Sequence, residues 1–140
     1  MINNHARDTD IRSLHPKVQS VFHDLSEALV SGYEAGLTQT RFQVFETFRT
    51  PSRQNYLLTK GTTKARGWQS PHQFGFAVDF VPVSFDPDGV IFSWSAEHDY
   101  NFLGKLALEH GLTRPISWDK CHIEHPLWHE HRKTIKKIYW

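Results

Sequence analysis

Apolar residues recur at three- and four-residue steps through Val18, Val21, Phe22, Leu25, Ala28 and Leu29, the stripe of an amphipathic helix. Pro16, after Leu14 and His15, marks its start and Gly32 its end. From Arg41 to Phe48 the period drops to two, with Phe42, Val44 and Phe48 on one face of a strand. Pro51 opens a short helix carrying Tyr56, Leu57 and Leu58, and residues 61–67, which lack any period, read as a loop. A second strand begins at Phe76. It sets Ala77, Asp79, Val81 and Val83 on one face and Phe76, Val78 and Phe80 on the other. Asp86–Pro87–Asp88–Gly89 is a turn signal, and Val90, Ile91 and Phe92 then read as the returning strand of a hairpin. Ser95 as N-cap, with Glu97 in the first turn, opens a helix whose inner face carries Leu103, Leu106 and Ala107 and which Gly111 closes. Pro115 to Trp118 is loop, Cys121 to Glu124 a short last strand stopped by Pro126, and Trp128 to Trp140 a helical tail.

Helices and strands that alternate loosely around a hairpin predict an α+β fold, a small antiparallel sheet with helices packed against it. At 140 residues the chain is expected to be a single domain over 1–140, its core about 14–125. Net charge is +1, so no global field argues for nucleic acid or a membrane surface. No apolar run is long enough to span a bilayer. The polar start, Met1–Ile2–Asn3–Asn4–His5, lacks the pattern of a signal peptide, so a cytoplasmic site of synthesis is expected. Cys121 is the lone cysteine, which excludes an internal disulfide. Ten histidines are the unusual count, and they direct attention to metal chemistry.

Asp79 interrupts the apolar run of the second strand. It shares a face with small apolar residues, where an unpaired carboxylate is costly. A metal held jointly with His72 resolves that cost, since the turn at Gly75 can aim an imidazole back at the following strand. Imidazole plus carboxylate suits zinc, which asks for a third protein ligand and leaves a position open when catalytic.

The stretch Ser70-Pro71-His72-Gln73-Phe74-Gly75-Phe76-Ala77-Val78-Asp79 reads S-x-H-x-x-G-x-A-x-D and resembles the signature of the LAS zinc peptidases. That group includes D-alanyl-D-alanine carboxypeptidases and phage L-alanyl-D-glutamate endopeptidases. The resemblance implies an antiparallel sheet with one Zn2+ per chain at its open face, bound by His72 and Asp79. In the family a carboxylate three residues before a histidine supplies the general base and the last ligand, which carries over to Asp119 and His122. Many relatives have Glu at the base position, and the shorter Asp must sit closer. Glu124, two residues on, is a rival base because it shares a strand face with His122. His125 and His129 read as surface or neighbouring groups, separated by Pro126, and Cys121 as a small buried residue facing away from His122.

The segment Glu46 to Gln54 resembles the family stretch in which a strand ends in an arginine that binds a substrate carboxylate. Arg49 is the candidate, Arg53 the alternative, with Gln54 as a polar neighbour of the site and Ser70 as a hydrogen-bond donor to substrate. The implied function is a peptidoglycan stem-peptide hydrolase, an L-alanyl-D-glutamate endopeptidase ahead of a D-alanyl-D-alanine carboxypeptidase or dipeptidase. A phage lysin released to the cell wall and a bacterial cytoplasmic enzyme both fit. Rivals of other classes are a zinc-bearing binding module without catalysis and a histidine-rich nuclease; near-neutral charge and the absence of a basic, aromatic-interleaved groove count against the latter. The basic tail (Lys133, Lys136, Lys137, Tyr139, Trp140) reads as a packed helix with a weak attraction to anionic envelope surfaces. The oligomeric state is not fixed by the sequence; a monomer is favoured.

Overall fold

A computed structural model describes residues 6–61, 70–94 and 96–139, with side chains through 133. The loop at 61–67, beyond Gly61, and the Ser95 cap fall outside the described residues, as do Trp140 and the side chains of Lys136, Lys137 and Tyr139. In chain order the elements are α1 (Gln19–Glu34), β1 (Arg41–Glu46), α2 (Pro51–Thr59), β2 (Ala77–Asp86), β3 (Gly89–Phe92), α3 (Glu97–Glu109), β4 (His122–Glu124) and α4 (Trp128–Tyr139). Single 3-10 turns at Ile11–Ser13 and Pro71–Phe74 precede α1 and β2. The α+β class and the small antiparallel sheet are as the patterning predicts.

β2 is the spine of the sheet. β1 runs antiparallel along one edge, with Arg41 opposite Val83 and Glu46 opposite Asp79. The other edge takes β3 against the C-terminal half of β2 and β4 against its start, where His122 faces Asp79 and Glu124 faces Ala77. Residues directly opposite one another share a face. Phe42, Val44, Val78, Phe80 and Ile123 therefore form one side. Against it lie Phe22, Leu25 and Leu29 of α1 and Tyr100, Leu103 and Ala107 of α3, which together make the buried core. The helices close on each other where Gly32 meets the Phe102 ring; a Cβ at Gly32 would lie 2.7 Å from it.

Several boundaries differ from the sequence reading; β2 and β4 each start one residue later, at Ala77 and His122. α1 begins at Gln19 rather than Pro16, because residues 16–18 form a turn, and it runs to Glu34. β1 stops at Glu46, so Phe48 is not part of the strand face. Ala96 is the N-cap residue of α3, one position beyond the expected cap, and it makes no side-chain cap hydrogen bond. The anchor of this helix is instead the buried Asp99, whose carboxylate accepts from Gln39 N and Thr40 N at 3.0 Å each and ties α3 to the loop before β1.

Candidate metal centre

The opposite face of the sheet carries the site. Glu46, Asp79 and His122 occupy one row across β1, β2 and β4. Glu46 reaches that row through a bulge: the register slips between Val44 and Glu46, leaving Phe45 as the extra residue. With unbroken pairing Phe45 would oppose Asp79 and Glu46 would turn to the core.

His72 comes to this row from the 3-10 turn. Ser70 caps that turn, accepting from His72 N at 3.3 Å, and Pro71 holds its first position. Gly75 ends it at φ 73°. A Cβ there would lie 2.6 Å from the His15 backbone nitrogen, so only glycine fits. His72 Nε2 then lies 3.1 Å from Asp79 Oδ1, His122 Nδ1 lies 3.2 Å from the same oxygen, and the two ring nitrogens are 3.2 Å apart. All three residues are buried and form a cluster able to hold a metal ion.

The outer contacts decide which atoms face inward. His72 Nδ1 donates to the Thr47 carbonyl at 2.8 Å, and His122 Nε2 donates to Glu124 Oε1 at 2.9 Å. Each ring therefore turns an unprotonated nitrogen toward Asp79. Three acceptor atoms converging without a donor repel one another unless a cation sits among them. A tetrahedral zinc with ligands at 2.0–2.1 Å separates its donor atoms by roughly 3.3–3.4 Å, so the residues fit that ion in type and spacing. The electrostatics agree. When no metal is bound a proton takes the cation's place: burial works against protonation of His122, but its bonds to Asp79 and Glu124 outweigh that and raise its pKa to about 10, so Nδ1 carries a proton that a bound cation displaces. Burial likewise pushes Asp79 up, and His72 and His122 outweigh it to hold the carboxylate well below its ordinary range. The pocket is built for positive charge.

Around these residues lies a cleft of ≈ 710 Å³ whose walls include Phe45, Arg49, Trp94, Ile116, Asp119 and Trp128. Asp119 lines it, but outside the cluster of three. Its loop leaves β4's side at Thr113, which pairs with Glu124 through two 2.9 Å backbone bonds. Arg114 pins the same loop to α3 by donating to Tyr100 O at 2.7 Å and Lys120 O at 3.3 Å; a Cβ at Gly104 would collide with that guanidinium. Ser70 also lines the cleft. Arg49 lines it too, donating through Nη2 to Glu46 at 2.6 Å and through Nη1 to Gln54 at 2.9 Å, while its Nε has no hydrogen-bond partner among the described residues. Gln54 is fully buried and holds Arg49 instead of forming part of the cleft wall. Arg53 shares Glu46, through a short contact from Nε. Cys121 precedes β4, is half-buried beside the core, and burial pushes its thiol far up.

Sequence reasoning missed Glu46, Thr47 and Trp128. The bulge that turns Glu46 inward leaves no mark in the alternation of apolar residues, and Thr47 acts through its backbone. Trp128 carries a faint signal, lying just beyond the Pro126 turn that folds the chain back toward β4.

No protein-family model matches the chain, and no curated protein is significantly similar to it in sequence. Solved structures do match. The L-Ala D-Glu endopeptidase ChiX of Serratia marcescens aligns at TM-score 0.56 and 22% identity, covering 90% of this chain and 94% of its own. The vancomycin-resistance D,D-pentapeptidase VanY from a VanB-type cassette, solved in complex with Zn(II), aligns at TM-score 0.57 and 18% identity, covering 95% and 85%. The LD-carboxypeptidase LdcB aligns at TM-score 0.53 and 18% identity, covering 99% and 83%. Through this shared architecture, the chain has the fold of the LAS zinc peptidases that its S-x-H-x-x-G-x-A-x-D motif resembles.

Proposed function

We propose that the chain is a zinc-dependent peptidase acting on peptidoglycan stem peptides. The observation that carries the reading is the convergence of His72 Nε2, Asp79 Oδ1 and His122 Nδ1 at 3.1–3.2 Å on the floor of a cleft that also holds Asp119 and Arg49. Zinc, when bound by these three residues, supplies Lewis acidity to water and to the scissile carbonyl. Asp119 takes the proton that water gives up on attack and delivers it to the leaving amine nitrogen. Arg49 receives a free substrate carboxylate: it lies on the cleft wall, bonded to Glu46 together with Arg53 and 3.7 Å from Asp79 Oδ2, so that its charge stands beside the metal ligands. Glu46 and Gln54 fix the fork so that little rotamer freedom is lost on binding.

The finer reading is L-alanyl-D-glutamate endopeptidase. In D-alanyl-D-alanine the residue after the scissile amide carries a free α-carboxylate, and so does a D-glutamate linked onward through its side chain. Arg49 alone reads either. The choice turns on room beyond that residue, and the short excursion from Thr113 to Lys120 offers little material for a lid. The alignment with ChiX, an L-Ala D-Glu endopeptidase, over 90% of this chain supports the same reading.

Mass spectrometry of digested sacculi is expected to show new L-alanine C-termini and D-glutamate N-termini. Asp119→Asn is expected to keep its zinc and lose roughly 10²–10⁴ in turnover. Release of free D-alanine alone would reject the endopeptidase reading. Zinc bound without hydrolysis of any muropeptide would reject the peptidase and leave a binding module.

A further inference from the structure

Glu124 is the rival to Asp119 as base, and its surroundings point elsewhere. It is buried, and both of its oxygens are already engaged: Oε1 accepts from His122 Nε2 at 2.9 Å, and Oε2 accepts from the Trp128 indole Nε1 in a short contact. Trp128 is itself buried in the first turn of α4 and lies against Phe74, ring centroids 6.2 Å apart. Phe74 belongs to the same 3-10 turn that presents His72. A single indole thus touches the supports of both histidines, one through a hydrogen bond and one through ring packing.

We infer that Glu124 and Trp128 are positioning residues that preset the metal centre, and that α4 is joined to the sheet for this purpose. The inference rests on the reading of His72, Asp79 and His122 as a metal site. The chemistry is specific. An imidazole ligating through Nδ1 must carry its proton on Nε2, and a carboxylate at 2.9 Å enforces that tautomer. A carboxylate is free to rotate about its last torsion unless its second oxygen is also held. The Trp128 N–H holds it, and the packed ring, having few rotamers, fixes the direction from which the bond comes. The spacing His122-x-Glu124-x-x-x-Trp128 reaches this geometry because the chain turns at Pro126, with Trp128 N donating to His125 O at 3.2 Å.

The test is zinc affinity, by competition with a chromogenic chelator, together with the His122 tautomer, read by long-range ¹H–¹⁵N correlation on the zinc-loaded chain. Glu124→Ala is expected to weaken zinc binding by about 10–100-fold. Glu124→Gln keeps the shape but sets an amide N–H against the indole N–H when its oxygen faces His122. It is expected to fall between wild type and Ala and to serve where Ala does not fold. Trp128→Phe keeps a packed ring and removes the donor. It is expected to weaken zinc binding with its circular dichroism unchanged, and to broaden the His122 ring signals. Zinc affinity unchanged in folded Glu124→Ala or Glu124→Gln would overturn the inference; unchanged affinity and ring signals in Trp128→Phe would remove Trp128 from it. Neither readout involves peptide hydrolysis. Tight zinc binding that responds to these variants in a chain without peptidase activity would sink the proposed function and leave this inference standing. Hydrolysis by a chain whose zinc affinity ignores the variants would do the reverse.

Discussion

At the scale of single residues, Glu46 shows how a buried charge is kept. Its carboxylate is 1% exposed and bonded to Arg49 and Arg53. Removing it leaves two cationic side chains in a partly dry wall, a loss of about 3–5 kcal/mol for a broken buried pair. The same bonds set a pH dependence. Burial pushes the Glu46 carboxyl up, and the bonds from Arg53 and Arg49 outweigh it and bring its pKa below the ordinary 4.5. A depressed folded-state pKa contributes stability that is fully present above the unfolded value and is lost as pH falls through the folded one. Wild-type stability is therefore expected to decline below about pH 4.5. Glu46→Gln is expected to be less stable at pH 7 and to show a shallower decline, measured by urea unfolding across pH 3–7. Parallel curves for the two proteins would show that Glu46 is not the group responsible.

Among the elements, the 3-10 turn before β2 has the least tolerance. Ser70 caps it, Thr47 receives the His72 ring, Arg49 N donates to His72 O at 3.0 Å, and Gly75 O accepts from His15 N at 3.0 Å. Thr47 is held in turn by Asp8 O, through its N at 2.7 Å and its Oγ1 at 3.1 Å, so the segment preceding α1 also supports the ligand. Gly75→Ala meets two obstacles, a left-handed φ of 73° and a backbone nitrogen 2.6 Å from the new Cβ. The left-handed conformation alone costs roughly 1–2 kcal/mol for an alanine, and the clash adds to it. The expected result is a lower melting temperature together with weaker zinc binding, because the turn cannot move without moving His72. A stability loss that spares zinc affinity would separate the turn from the site.

Across the whole molecule, one side of the sheet packs against α1 and α3, and the other carries the site at the end where β1 and β4 flank Asp79. The core between the sheet, α1 and α3 supplies rigidity, and the cleft on the far side gathers residues from β1, β2, β4, α2, α4, the 3-10 turn before β2 and three connecting loops. No helix among the described residues is long and apolar enough to cross a membrane. α4 joins the supports of the two histidines through Trp128, which places the useful part of this helix in its first turn. Truncation after Arg132 keeps Trp128 and is expected to retain one zinc per chain and hydrolysis of a soluble muropeptide. If the basic tail also draws the chain to anionic envelopes, lysis of whole cells falls further than muropeptide hydrolysis in the same variant. Equal losses in both assays would assign the tail to stability alone.

Much of this was legible from residue order. Periods of 3.6 and 2 marked α1, β2, the hairpin and α3 because burial on one side of a regular element leaves a periodic trace. His72 and Asp79 were legible because a short turn and a strand pin their separation locally, whatever the rest of the chain does. The partners that complete the centre were not. His122 lies 43 residues beyond Asp79, and only its resemblance to a known pattern singled it out; its placement comes from the antiparallel pairing of β4 with β2. Glu46 faces the site only because of a bulge, which costs one residue of register and does not alter composition. Whether Glu124 is a base or a support depends on what its two oxygens touch, and those contacts come from a helix four residues on and a histidine two residues back. Periodicity reports which side of an element is dry. Which atoms meet there is decided by register, turns and long-range pairing, and these belong to the tertiary structure.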